Sequence, residues 1–196
     1  MIPGDKLLAV SSKFIQIYMT PEDYFAGEEI SPIRREYIRG EVYAMSASTP
    51  VHNMITLNLA TLIRKQVRGT ECYAFVQDIK IRIETADVFY YPDLTVTCDP
   101  RDQQFTDSFI RYPCLIVEVL SESTEAFDRG DKFADYRQIE TLKEYLVISQ
   151  TRPSVECFRR NHSGRWELYS YQGQEQIRLT SLNLVIDMAT LYEDVW

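Results

Sequence analysis

At 196 residues the chain is long enough for one domain with a substantial core. Its 45% hydrophobic and 12% aromatic content is that of a folded globule and excludes a disordered segment. The net charge of −8, with Lys and Arg scattered in ones and twos, argues against a protein that grips nucleic acid through a basic surface of its own.

In chain order, residues 1–18 show no firm pattern and read as an N-terminal arm before a single domain over 19–196. Their sequence lacks the basic end and apolar stretch of a signal peptide. No run in the chain approaches the roughly 20 apolar residues of a membrane span, so a cytoplasmic protein is expected. Thr20-Pro21-Glu22-Asp23 predicts a short helix ending near Gly27, with Thr as cap, Pro at the first helical position and acids in the first turn. Glu36 to Met45 alternates on both sides of Arg39-Gly40 and predicts a hairpin. Thr49-Pro50 repeats the cap-plus-proline device and opens a long helix to about Arg68. Its apolar stripe runs through Val51, Met54, Ile55, Leu59, Leu62 and Ile63, and Gly69 is placed to stop it.

Phe75 to Glu84 alternates and predicts one half-exposed strand, with Lys80 and Arg82 on the polar side. A strand entered through Pro92-Asp93 follows, then Cys114 to Leu120, an almost wholly apolar run of the kind found in central, doubly covered strands. A helix is expected from Asp128 to about Gln138 or Ile139, with Asp131 completing a capping box. Glu144 to Ser149 predicts a strand parallel to its predecessor through that helical crossover. The remainder reads as a meander of Val155–Arg160, Trp166–Tyr171 and Gln176–Thr180, with a short helix or turn at the end. The pattern is α/β: a central mixed β-sheet flanked by helices, with a β-meander toward the C-terminus.

The four cysteines are far apart and form no C-x-x-C pair, so they are expected as buried thiols. With only His52 and His162 available, a Cys/His zinc site is not expected.

Chemistry concentrates between Tyr91 and Lys132. Asp93 opens one strand and Glu118 interrupts the apolar run of the next, where an ionised carboxylate is costly unless paired or bound to a metal. Asp128, Lys132 and Tyr136 follow at i, i+4 and i+8, one face of the predicted helix, so Lys132 can turn back over the end of the Glu118 strand. Two carboxylates on neighbouring strands suit Mg²⁺, with Mn²⁺ as its substitute, and a nearby ammonium suits stabilisation of a developing phosphoryl charge. The structural alternatives are plain: Asp93 as a turn cap, a Glu118–Lys132 salt bridge, Asp128 as an N-cap, His52 as a helix-start hydrogen-bonding residue. His162 reads as surface.

Pro92-Asp93 with a later buried Glu118 resembles the metal-dependent nucleases of the PD-(D/E)XK superfamily. The strings EVLSEST, DRGDK-x-x-x-Y and EYLVI narrow the likeness to the Uma-type restriction endonuclease family, over most of the chain. The resemblance implies a restriction-endonuclease-like fold and an endonuclease acting on phosphodiesters, DNA before RNA. It implies Asp93 and Glu118 as metal ligands, the Val119 carbonyl as a third oxygen, and supporting roles for Glu41, His52 and Asp128. One departure stands out: the superfamily places a lysine two residues after the acid, where this chain has Leu120, so the resemblance implies a relocated lysine at Lys132. Analogy with related nucleases implies a homodimer. The competing expectations are a nuclease fold kept as an interaction module, and a defence-type nuclease whose partner supplies the DNA-binding surface.

Overall fold

The computed structural model describes residues 18–45, 47–104 and 107–196, so the expected arm falls, but for Tyr18, outside the described residues. The hub is strand β8 (Pro113–Leu120), buried at every position. It lies in a six-stranded sheet of order β11-β10-β9-β8-β6-β3. Here β3 is Tyr73–Val76, β6 is Leu94–Thr97, β9 is Glu144–Ser149, β10 is Ser154–Arg160 and β11 is Trp166–Gln172. The sheet is mixed because β8 and β9 run parallel while the other neighbours run antiparallel.

Alternation along β8 divides its side chains between two cores. Leu115, Val117 and Val119 pack with Ile55, Leu59 and Ile63 of helix α2 (Pro50–Val67). Ile116 and Leu120 pack on the other side with Ile81, Val88, Tyr136 and Tyr145. Apolar burial on both faces is why the strand reads as a continuous hydrophobic run. The second core is closed by a five-stranded sheet of order β2-β1-β5-β4-β7. Its members are β1 (Arg35–Ile38), β2 (Glu41–Ala44), β4 (Lys80–Ile83), β5 (Val88–Tyr90) and β7 (Phe109–Ile110).

Local signals hold at the element starts. Thr20 and Thr49 each accept a hydrogen bond from the backbone three residues on, at Asp23 and His52, with proline at the first helical position. The β1–β2 hairpin turns at Arg39 and Gly40, both at positive φ, and a side chain at Gly40 would run into the Tyr18 ring. Helix α1 (Pro21–Ile30) passes through Gly27 instead of ending there, anchored by the fully buried Tyr24, whose hydroxyl donates to the Arg35 carbonyl.

Four further expectations are corrected. The strand predicted over Phe75–Glu84 is two, β3 and β4 in different sheets, because Gln77 takes positive φ and its N–H donates to the Asp93 carbonyl. As a result Lys80 is buried, with the Phe25 and Tyr91 rings near its ammonium. The crossover helix begins at Glu125: α3 (Glu125–Phe127) continues through a π-helical turn over Asp128–Lys132 into α4 (Phe133–Tyr136). Ser121 accepts the Thr124 and Glu125 N–H groups at its start, so Asp128 is mid-helix and no cap. The C-terminal segment β12 (Gln176–Leu179) leaves the meander and pairs with β13 (Leu184–Asp187), a strand the sequence did not announce, before α5 (Met188–Leu191).

The fourth correction concerns the cysteines. Cys72 and Cys98 form a disulfide, and only Cys114 and Cys157 are buried thiols. The antiparallel pairing of Tyr73 with Thr97 sets the two cysteines opposite one another at the next rung, across a separation of 26 residues. Burial pushes the Cys114 thiol up to about 11 and that of Cys157 up to about 12.

Candidate active site

The β6–β8 ladder brings two of the predicted acids together. Leu94 pairs with Val117, so the next rung sets Asp93 beside Glu118. Asp93 is fixed by its backbone surroundings: the Val119 N–H donates to Oδ2 at 2.7 Å, and His52 Nε2 lies 3.1 Å from the same oxygen. His52 reaches it because the Thr49 cap starts α2 directly above the end of the ladder.

Glu118 sits on the second-core face of β8 and is 4% exposed. Its Oε1 accepts from the Tyr136 hydroxyl at 2.9 Å and lies 3.0 Å from Lys132 Nζ. Lys132 is equally buried and is ringed by carboxylates: Glu36 Oε1 at 3.0 Å, Glu118 at 3.0 Å and Asp128 at 3.6 Å. The π-helical turn is the device that presents Asp128 and Lys132 together. The Tyr145 hydroxyl donates to the Asp128 carbonyl at 2.9 Å and ties this turn to β9. Leu120, where the superfamily pattern has lysine, is buried in the second core. The only ammonium beside Glu118 among the described residues therefore comes from the helix.

The electrostatics follow from crowding. Burial pushes Glu118 well above the usual carboxylate range; Lys132 opposes this, while Asp128, Asp93 and Glu36 add to it. Burial, the largest effect on Lys132, would lower it, but Glu118, Glu36 and Asp128 together hold it well above its ordinary value, so it stays an ammonium. Asp128 is raised, chiefly by burial. Burial would also lower His52, but its hydrogen bond to Asp93, that carboxylate's charge and a bond to the Val119 backbone outweigh it and raise the imidazole. Its Nδ1 is buried without a partner among the described residues. Glu36, Glu118, Asp128 and Asp93 thus face one ammonium and one imidazole.

All these groups line a single cavity of 350 Å³, whose rim carries Tyr43, Thr49, Ser121, Ser123 and Thr124. Glu41 is absent from that lining; its carboxylate accepts from the Tyr43 hydroxyl. Glu36, five residues earlier in the same hairpin, stands where Glu41 was expected. A signal existed, since Glu36 also lies in the alternating strand, but nothing local separates two acids straddling one turn.

Among the described residues no group of three His, Cys, Asp or Glu side chains is placed to hold a metal unaided. The donor chemistry nonetheless suits a hard cation that keeps most of its waters and takes one or two carboxylates. Asp93 and Glu118 open on one cavity, these contacts engage one oxygen of each, and the surplus of buried acid calls for positive charge.

A mixed sheet with α2 on one face is the restriction-endonuclease-like fold, and Asp93 and Glu118 meet at the end of its β6–β8 ladder. A crystal structure of a "putative nuclease belonging to DUF820" from Anabaena variabilis superposes on this chain with a TM-score of 0.71. That match is at 15% identity and covers 85% of this chain and 93% of that one. The chain belongs to the family described as "Putative restriction endonuclease", whose model matches residues 21–189. Two relatives come from Synechocystis sp. The "Uncharacterized protein slr1290" is 38% identical over 174 residues, covering 89% of this chain and 91% of the relative. The "Uncharacterized protein sll1609" is 32% identical over 159 residues, covering 80% and 89%. No helix among the described residues is long and apolar enough to cross a membrane.

Proposed function

We propose that this protein is a metal-dependent endonuclease that hydrolyses phosphodiester bonds of DNA, with residues 19–196 acting as one nuclease domain. The observation that carries the reading is the Lys132 ammonium held among Glu36, Glu118 and Asp128 at the wall of the cavity that Asp93 opens on. A purely structural lysine needs one partner. Three carboxylates with a fourth nearby leave net negative charge in a desolvated place, which a hard cation would balance.

In this reading Asp93 and Glu118 hold Mg²⁺, or Mn²⁺ in its place. The bound ion supplies a Lewis acid for the phosphoryl oxygens and a lowered pKa for an attacking water. The chain does the rest. The Val119 N–H and His52 fix Asp93 Oδ2 so that the carboxylate cannot rotate away. Tyr136 orients Glu118 through Oε1. Lys132, kept charged by its carboxylate ring, stabilises the negative charge that develops on the phosphate and orients the water by hydrogen bonding. Glu36 holds the ammonium in place while accepting the Tyr91 N–H at 3.0 Å, which ties the site to the second sheet. A homodimer, expected by analogy with related nucleases, would bring two such sites into one assembly.

The test is calorimetric titration of Mg²⁺ and Mn²⁺ into the protein and its Asp93→Ala and Glu118→Ala forms, with DNA cleavage measured alongside. Binding and cleavage that both require the two carboxylates support the reading; metal binding indifferent to them overturns it. The contacts to Lys132, Tyr136 and His52 also suit a second reading, a nuclease fold kept as an interaction module. It predicts no carboxylate-dependent metal binding at all.

A further inference from the structure

The walls of the cavity are poor in cations. Lys132 and His52 are both spent on carboxylates, and the rim is built from hydroxyl and aromatic side chains. A second cavity of 440 Å³ adjoins the first, and the two share Tyr91, Asp93, Met45 and Ser48 as common wall. Its one cation, Arg34, is paired with Asp78 at 3.1 Å. The result is a trough with Asp93 at its waist and a nucleotide-sized chamber on either side.

A duplex presents two rows of phosphates, and binding one needs basic groups along both rows. Among the described residues that line this trough, every cation already faces a carboxylate, and only Arg34, in an exposed pair with Asp78, could turn to a phosphate. Affinity must instead come from hydrogen bonds to hydroxyls and from stacking on aromatic rings, and stacking needs a base free of its partner. Tyr43 is placed for this. It is 49% exposed and lines the first chamber from β2. In the hairpin register it faces Glu36, so the two side chains project on the same side, one toward Lys132 and one over the rim. Glu41, two residues before it and on the same face, accepts the Tyr43 hydroxyl and steadies the ring. The hydrogen bond leaves the face of the ring available.

We propose that the substrate is unpaired nucleic acid threaded through this trough, with Tyr43 stacking on the base next to the phosphate held at Asp93. The inference rests on the phosphodiesterase reading of the site and adds the strandedness of the substrate. Tyr43 is then a specificity-determining residue and Glu41 a positioning residue acting through it.

Fluorescence anisotropy on the full chain in Ca²⁺ tests the proposal, using a labelled 12-nucleotide single strand and a hairpin duplex of the same sequence. The single strand is expected to bind about tenfold or more tighter. Its salt dependence should be shallow for a single-strand binder, because few phosphates are neutralised. Tyr43→Ala and the bulk-preserving Tyr43→Leu should each weaken the single strand about tenfold and leave the duplex unchanged, and Tyr43→Trp should restore binding. Glu41→Gln should give a smaller loss that Tyr43→Leu abolishes. Circular dichroism melts on each variant separate a stacking loss from a folding loss. Equal or tighter duplex binding, no binding of either probe, or indifference to Tyr43 overturns the proposal. Cleavage of duplex that requires Asp93, found together with any of those results, leaves the phosphodiesterase reading standing and removes only this one.

Discussion

Two glutamates on adjacent parallel strands show what burial does when it is answered and when it is not. Glu118 on β8 and Glu144 on β9 are 4% and 0% exposed, and their strands pair directly. Glu144 is saturated with donors. Arg159 Nε lies at 2.7 Å, the Thr180 and Ser181 N–H groups at 3.1 and 2.8 Å, and both their hydroxyls donate as well. Burial would raise this acid, but the Ser181, Arg159 and Thr180 bonds outweigh it and leave Glu144 below its usual range. Glu118 has one hydroxyl and a lysine it must share with two other carboxylates, and it ends well above that range. Glu144 fastens the two-stranded C-terminal unit to the sheet. Glu118 is held in a state that a cation or a proton would relieve, a condition that buried acids at functional sites often show.

The sharpest way to break this contrast is Glu118→Gln against Glu144→Gln. The first should cut DNA cleavage about 10³-fold yet leave the metal-free protein as stable as the parent or up to about 2 kcal/mol more stable, because an under-compensated buried carboxylate is removed. Single-turnover cleavage and urea unfolding read the two halves, and a large stability loss in Glu118→Gln would erase the distinction. Lys132→Met comes next, with an expected loss of about 10²- to 10³-fold in cleavage rate at unchanged metal affinity. If metal binding disappears with it, Lys132 is holding the ligands and not the phosphate.

Glu144→Gln should cost about 3 kcal/mol near neutral pH with cleavage unaffected per folded molecule. The sign of its pH dependence follows from the direction of the shift. A depressed carboxylate stabilises above its unfolded pKa of about 4.3, and that contribution fades as pH falls through the lower folded value. The stability gap between parent and Glu144→Gln should therefore close below about pH 4, and a gap that widens in acid refutes the assignment. Mg²⁺ at a hundred times its dissociation constant should add about 2.7 kcal/mol to the parent and to Glu144→Gln, and nothing to Glu118→Gln. Thermal melts across a magnesium series check this. The smallest effect belongs to Tyr136→Phe, where losing one hydrogen bond to Glu118 should change stability by about 1 kcal/mol or less.

Much of the fold was legible because its signals are local. The Thr-Pro starts of α1 and α2, the Arg39-Gly40 turn and the period of α2 each depend on residues within one or two turns. The apolar run of β8 predicted a doubly covered strand, and two cores do flank it. What misled was also physical. Alternation continued across Gln77 although the backbone there turns to positive φ, and an acid at the start of DRGDK resembles a cap even when a turn at Ser121, seven residues earlier, already leads into the helix.

By itself the sequence determined most of the elements, the presence of one acid in a buried strand and another at a strand mouth, and the absence of a lysine at Leu120. Side-chain period and capping chemistry are enough for that. Only the tertiary structure decided which acids share a site. The choice of Glu36 over Glu41 depends on how a hairpin packs on a second sheet, and the Cys72–Cys98 bond depends on a register between strands far apart in the chain. Lys132 needed both: its spacing from Asp128 and Tyr136 is written in the chain. Its place 3.0 Å from Glu118 comes from a parallel crossover and a π-helical turn that no local rule encodes.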